Sequence, residues 1–91
     1  MIIVSQDKLQ IFNFKTAKNI WIEEEEVEIN QIEKVVYSIY IDGEIVGEYE
    51  TKERAKEVLQ EIIKAYLDCN VQNVLAEYAY VKNILFEMPV E

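Results

Sequence analysis

The sequence predicts a small α+β domain, in which an antiparallel sheet of about four to five strands precedes an amphipathic helix and a C-terminal segment of helix and strand. Three observations predict this class. β-Branched and aromatic residues alternate with polar ones over much of the N-terminal half. Asp42-Gly43 separates two such runs and is typical of a β-hairpin, because both central residues of a type I′ turn need positive φ. Beyond Thr51, apolar residues recur at three- and four-residue steps, as on one face of a helix.

The strands are predicted in order along one domain, residues 1–91. The first two runs pair as a hairpin around a polar turn at residues 6–8. The third run ends at the four glutamates 23–26 or continues past them, because Val27 and Ile29 still alternate with polar residues. The predicted strands cover residues 2–5, 9–14, 19–24, 34–41 and 44–49.

A two-residue turn at Asp42-Gly43 sets a register for the last two strands. Apolar residues occur on both faces of this hairpin, so the sheet needs a helix on one face and further cover on the other. A homo-oligomer, most often a twofold dimer, is the expected source of that cover. The predicted facing pairs are Ile41 with Glu44, Ile39 with Val46, and Tyr37 with Glu48.

The helix begins after Thr51, a favourable N-cap, and we expect it to end at residues 68–70 with Asn70 as its C-terminal cap. A second helix is expected from residue 71 to about residue 80. A short strand over residues 83–87 follows, which Pro89 ends. The apolar stripe of the first helix consists of Ala55, Val58, Leu59, Ile62, Ile63 and Tyr66.

Composition excludes several classes of function. The net charge is −9, which repels phosphate backbones and anionic membranes, so direct nucleic-acid binding and membrane association are not expected. Histidine is absent from the sequence, and we see neither a nucleophile beside a base nor a glycine-rich phosphate loop. We therefore expect a protein that is not an enzyme and that has no cofactor and no metal centre. The single cysteine, Cys69, and the absence of a recognisable signal peptide indicate a cytoplasmic protein.

Two charged clusters remain open to more than one interpretation. The glutamates 23–26 bind a hard cation, imitate a phosphate backbone, or form a solvated strand end that blocks edge pairing. Lys52, Arg54 and Lys56 lie at the helix start, where they either bind an anion or serve as solubilising charges. Arg54 is the only arginine and therefore the first candidate for a bidentate phosphate contact.

Aromatic residues cluster in the C-terminal segment. Tyr78, Tyr80 and Phe86 are candidates to stack on a nucleobase, and Asn83 lies among them. The alternative is that they belong to the core or to a subunit interface, where such residues are common.

The opening MIIVSQDK, the helix TKERAKEVLQEI and the ending FEMP resemble a group of small phage, prophage and Firmicute proteins, mostly of unassigned function. A looser similarity is to phage anti-defence sponges, which sequester cyclic ADP-ribose signals of the Thoeris system. That resemblance implies an oligomer with a nucleotide pocket of aromatics and arginines at a subunit interface. This chain departs from the pattern in having one arginine and a strongly negative charge.

The function predicted from these observations is a non-enzymatic anti-defence protein that sequesters a small cyclic nucleotide. In this hypothesis Arg54 holds a phosphate, Tyr78, Tyr80 or Phe86 stacks on the base, and Asn83 reads a polar edge. The alternative is an acidic interaction module, or nucleic-acid mimic, that blocks a basic host protein.

Overall fold

Six strands and one helix make up the part of the chain that the computed structural model describes, which is residues 1–72 and 85–91. The α+β class predicted from the sequence is confirmed. The elements are β1 (Ile2–Val4), β2 (Ile11–Asn13), β3 (Ile20–Ile29), β4 (Ile32–Ile41), β5 (Glu44–Tyr49), α1 (Lys52–Gln72) and β6 (Leu85–Glu87).

The strands divide between two three-stranded sheets. In the first sheet, β1 lies between β2, with which it is antiparallel, and β6, with which it is parallel. The second sheet is an antiparallel meander of β3, β4 and β5. The amide of Gln6, just after β1, donates to the carbonyl of Val46 in β5 at 2.7 Å, which ties the two sheets together.

Two tight turns build the meander. Asp42 and Gly43 both have positive φ, 49° and 89°, as the hairpin prediction requires. Asp42 also accepts the amides of Lys18 and Asn19, which fixes the chain entering β3. A second turn at Asn30-Gln31, with φ of 53° and 67°, joins β3 to β4. β3 therefore continues past the glutamates 23–26 and ends at Ile29.

β3 and β4 pair over ten residues each, whereas β5 pairs with β4 only over residues 37–41. Residues 25–36 therefore form a two-stranded extension, which we call the arm. The face of the second sheet that bears Trp21 and Tyr40 is called the outer face. The opposite face bears Ile39 and Ile41, which belong to the core.

The predicted register of the last hairpin is wrong beyond its first pair. Ile39 lies across from Gly47, and Tyr37 lies across from Tyr49, because the ladder shifts by one residue between Ile39 and Tyr40. This β-bulge has a packing cause: Val46 and Tyr49, which strict alternation places on opposite faces, are both buried in the core.

α1 packs on the second sheet through a stripe of fully buried side chains, and Phe14 meets Tyr66 edge-on with ring centroids 5.1 Å apart. The helix continues through Gln72, beyond the predicted end at residues 68–70. No glycine or proline occurs there to stop it, and Leu67 and Val71 continue the four-residue spacing. The buried core consists of Ile3, Ile39, Ile41, Val46, Tyr49, Ala55, Val58, Ile62 and Met88.

The last described segment confirms a strand within the predicted range 83–87, since β6 covers Leu85–Glu87. Met88 follows it into the core and donates its amide to the carbonyl of Val4. The helix predicted from residue 71 to about residue 80 lies almost entirely outside the described residues. Its first two positions belong to α1.

Candidate functional site

A cavity of about 770 Å³ opens beside the start of α1, and we call it the Arg54 cavity. Its walls come from the arm, the end of β5, the first turn of α1, the loop after β1 and the C-terminal residues. That volume is typical of small-molecule sites. The lining residues are Gln6, Ile29, Lys34, Val36, Glu48, Tyr49, Glu50, Thr51, Arg54, Val90 and Glu91.

Gln6 holds the C-terminal wall of the cavity in place. Its side-chain oxygen accepts the amide of Glu48 at 2.8 Å, and its nitrogen lies 3.1 Å from the carbonyl of the same residue. The same nitrogen lies 3.0 Å from the carbonyl of Pro89 and 2.8 Å from that of Val90. One side chain thus joins the edge of β5 to the end of the chain.

Tyr49 supports the same wall from beneath. Its ring is buried, and its hydroxyl donates to the carbonyl of Pro89 at 2.8 Å. Burial raises the pKa of Tyr49 to about 12, against a smaller lowering by Arg54. The hydroxyl is therefore neutral at physiological pH, which suits a hydrogen-bond donor and not a general base.

Arg54 lies on the cavity wall, in the first turn of α1. Thr51 caps the helix, since its hydroxyl accepts the amide of Arg54 at 3.1 Å. The guanidinium donates to the main-chain oxygen of Glu91 at 2.8 Å and to Glu57 at 3.1 Å, and Glu61 lies 3.9 Å away. Some of the N–H donors of Arg54 are therefore already used by these protein oxygens.

Lys34 brings a second cation to the cavity from β4. Its ammonium lies 2.9 Å from a carboxylate oxygen of Glu50, and this hydrogen bond lowers the pKa of Glu50. Both side chains are substantially exposed. Pairs of this kind contribute only about 0–1 kcal/mol, so a ligand anion can replace the carboxylate at small cost.

Of the residues predicted to bind ligand, the structure places Arg54 on the cavity wall. Phe86 is half-buried in β6, where it packs against the core, and it is not among the lining residues. The predicted contacts of Tyr78, Tyr80 and Asn83 lie outside the described residues. Among the predicted binding residues that the structure describes, Arg54 lines the cavity and Phe86 does not.

Sequence reasoning missed Gln6, Lys34 and Tyr49 as cavity residues. Gln6 belongs to a stretch that reads as a plain polar turn, and its partners lie more than forty positions away. Lys34 begins a predicted strand with no feature that separates it from a surface lysine. For the bulge in β5, which helps to bury Tyr49, the local signal is Gly47, because an isolated glycine inside a strand is typical of a bulge.

The outer face carries a second arrangement of polar and aromatic groups. The rings of Trp21 and Tyr40 stack with centroids 5.2 Å apart and planes 3° from parallel. The Tyr40 hydroxyl donates to Glu25, and this hydrogen bond is the main cause that raises the pKa of Tyr40 to about 12. On the opposite face Tyr37 donates to Glu24 at 3.0 Å.

In comparisons with known proteins, no family model, no curated protein and no solved structure matches this chain. Within residues 1–72 and 85–91, no three acidic or cysteine side chains are grouped closely enough to hold a metal ion. No helix in the described part of the chain is long and apolar enough to cross a membrane.

Proposed function

We propose that this protein is a non-catalytic binding protein that sequesters a small anionic ligand of the nucleotide class in the Arg54 cavity. One observation supports this above the others: the chain's only arginine and a second cation, Lys34, line the same cavity of about 770 Å³. Small-molecule sites combine such volume with a few polar groups that fix orientation.

The lining matches the two chemical halves of a nucleotide. Arg54 and Lys34 offer positive charge to a phosphate, and the capped N-terminus of α1 adds to that field. Ile29, Val36 and Val90 provide apolar surface for a base or ribose. The buried, neutral hydroxyl of Tyr49 donates its hydrogen bond to the carbonyl of Pro89 in the C-terminal wall. Among the described residues that line the cavity, we therefore identify no activated nucleophile or base.

Binding requires the ligand to compete with Glu50 and Glu57 for the two cations. The two carboxylates are largely exposed, 79% for Glu50 and 67% for Glu57, so water solvates them readily when a ligand displaces them. The same competition disfavours ligands that carry a single diffuse charge. A ligand with two phosphates contacts both cations at once. A cyclic dinucleotide or a cyclic ADP-ribose fits that requirement, in keeping with the sponge hypothesis drawn from the sequence.

The test is thermal unfolding with a panel of cyclic nucleotides, cyclic ADP-ribose included. Ligand that binds only the native state at a hundredfold excess over Kd adds about 2.7 kcal/mol of stability. For a chain of this size that raises Tm by roughly 10–20 °C. The Arg54→Gln variant should lose the rise, whereas Lys64→Gln, which removes an exposed charge outside the cavity, should keep it.

The unliganded Tm of each variant is measured alongside, because Arg54 also holds Glu91. The proposal is wrong if no panel member raises the Tm, or if the rise is the same in Arg54→Gln as in the unmodified protein. Light scattering with and without ligand tests the expected homo-oligomer.

A further inference from the structure

β3 has a long free edge, and only its last residue, Ile29, also lines the Arg54 cavity. β4 pairs with one side of β3, and within the described ranges no strand pairs with the other side. Alternate residues of an edge strand direct their N–H and C=O groups outward, so β3 presents a row of main-chain donors and acceptors. Such an edge can accept an added strand from a second polypeptide.

Carboxylates flank this edge on both faces of the sheet. Successive side chains of a strand point to opposite faces. None of these carboxylates forms a salt bridge within the described part of the chain. Glu23 and Glu25 lie on the outer face, and Glu24, Glu26 and Glu28 lie on the other face.

Like charges also oppose one another inside the arm. Glu28 lies directly across from Glu33 in the β3–β4 ladder, an arrangement that destabilises a sheet unless a cation is near. A positively charged partner on this face removes that repulsion.

The outer face has two further features that favour a positively charged partner. Trp21 is 36% exposed, and its ring is stacked on Tyr40, which leaves an aromatic surface next to Glu23 for a cation–π contact. Ser38 lies directly across from Glu23 and is fully buried, yet its hydroxyl oxygen has no hydrogen-bond partner among the described residues. Unsatisfied buried oxygens are rare in folded proteins.

We propose that the free edge of β3 binds an extended, arginine-rich or lysine-rich segment of a partner protein as an added strand. Main-chain hydrogen bonds to β3 hold the segment. Its side chains alternate between the faces, as the carboxylates do. On the outer face a guanidinium lies between Glu23 and Glu25, beside the ring of Trp21. It donates to the Ser38 oxygen once the side chains that cover this buried atom shift aside.

A second copy of this chain does not fit the same edge. Antiparallel pairing of two β3 strands centred on Glu24 places Glu24 across from its own copy and Glu23 across from Glu25. Pairing centred on Glu25 places Glu25 across from its own copy and Glu24 across from Glu26, so like charges meet at the central pairs in both registers. The acid run thus prevents self-pairing while it attracts a basic strand. Charge complementarity selects the basic partner.

The experiment uses a fluorescent ten-residue peptide of alternating arginine and valine, with an alternating glutamate and valine peptide as its control. Fluorescence anisotropy should show binding of the arginine peptide alone. The double variant Glu23→Gln/Glu25→Gln should weaken this binding about tenfold. The control Glu44→Gln/Glu87→Gln, which changes the net charge equally but lies away from β3, should change it by less than about twofold.

Amide hydrogen exchange distinguishes strand addition from loose electrostatic attraction. The bound peptide should slow exchange at alternate amides of β3, those that point away from β4. The proposal is overturned if the arginine peptide does not bind, if both double variants weaken it equally, or if it binds without slowing exchange in β3.

Discussion

Removal of the Gln6 side chain should release the C-terminal wall of the Arg54 cavity. The amide nitrogen has two hydrogens to share among three carbonyls, and the oxygen accepts one amide, so about three full hydrogen bonds are lost. Each contributes a net 0.5–1.5 kcal/mol, roughly, and water reaches the exposed groups after the change. We therefore expect Gln6→Ala to lower the free energy of unfolding by about 2 kcal/mol.

Differential scanning calorimetry and urea unfolding measure this loss, which corresponds to a fall in Tm of roughly 8–16 °C. Gln10→Ala is the matched control, since the side chain of Gln10 makes one exposed hydrogen bond, to Glu44 at 3.2 Å. It should stay within about 0.5 kcal/mol of the unmodified protein. If Gln6→Ala is as stable as Gln10→Ala, the side chain does not hold the end of the chain as described.

Three further predictions concern two glycines and two tyrosines. A methyl group at Gly47 meets the hydroxyl of Tyr49 at 2.9 Å and Met88 at 3.0 Å, so Gly47→Ala should lower stability by about 1–3 kcal/mol in urea unfolding. Gly43→Ala has open space but a φ of +89°, and it should cost about 1 kcal/mol through backbone strain alone. Tyr40 and Tyr49 have pKa values raised from 10.0 to about 12, so the folded state keeps protons that the unfolded state releases. Their stabilisation should be complete below pH 10 and lost as the pH rises towards 12, as followed by phenolate absorbance and circular dichroism; constant stability across that range contradicts this.

The local parts of the fold could be predicted from the sequence because their causes are local. The Asp42-Gly43 turn requires positive φ at both residues, and few other residue pairs adopt that conformation as readily. The apolar spacing after Thr51 similarly predicted a helix, which α1 confirms. The Asn30-Gln31 turn was missed because only Asn30 is typical of positive φ.

Long-range arrangements could not be predicted in this way. The parallel pairing of β1 with β6 joins residues more than eighty positions apart. The composition of these two short strands does not indicate that they pair with each other. The bulge in β5 depends on how Val46 and Tyr49 pack in the core, which strict alternation does not reveal. Sequence patterns indicate where strands form, whereas packing determines which strands pair and how they divide between the two sheets.

In the candidate site, too, local features were predictable from the sequence and long-range contacts were not. Arg54 was found because a single arginine at a helix start has a distinctive chemistry. Its neighbours in the cavity come from five separate parts of the chain, and their convergence depends on the arm and on the Gln6 contacts. The role predicted for Phe86 stays a prediction, and the structure gives that side chain a packing role in β6.

The most direct measurement is a titration of ¹⁵N-labelled protein with cyclic ADP-ribose, monitored by amide chemical shifts. If the Arg54 cavity binds the ligand, the largest changes should fall on Gln6, Lys34, Thr51 and Arg54, and they should vanish in Arg54→Gln. Shifts confined to residues outside the cavity, or unchanged spectra at millimolar ligand, would contradict the account.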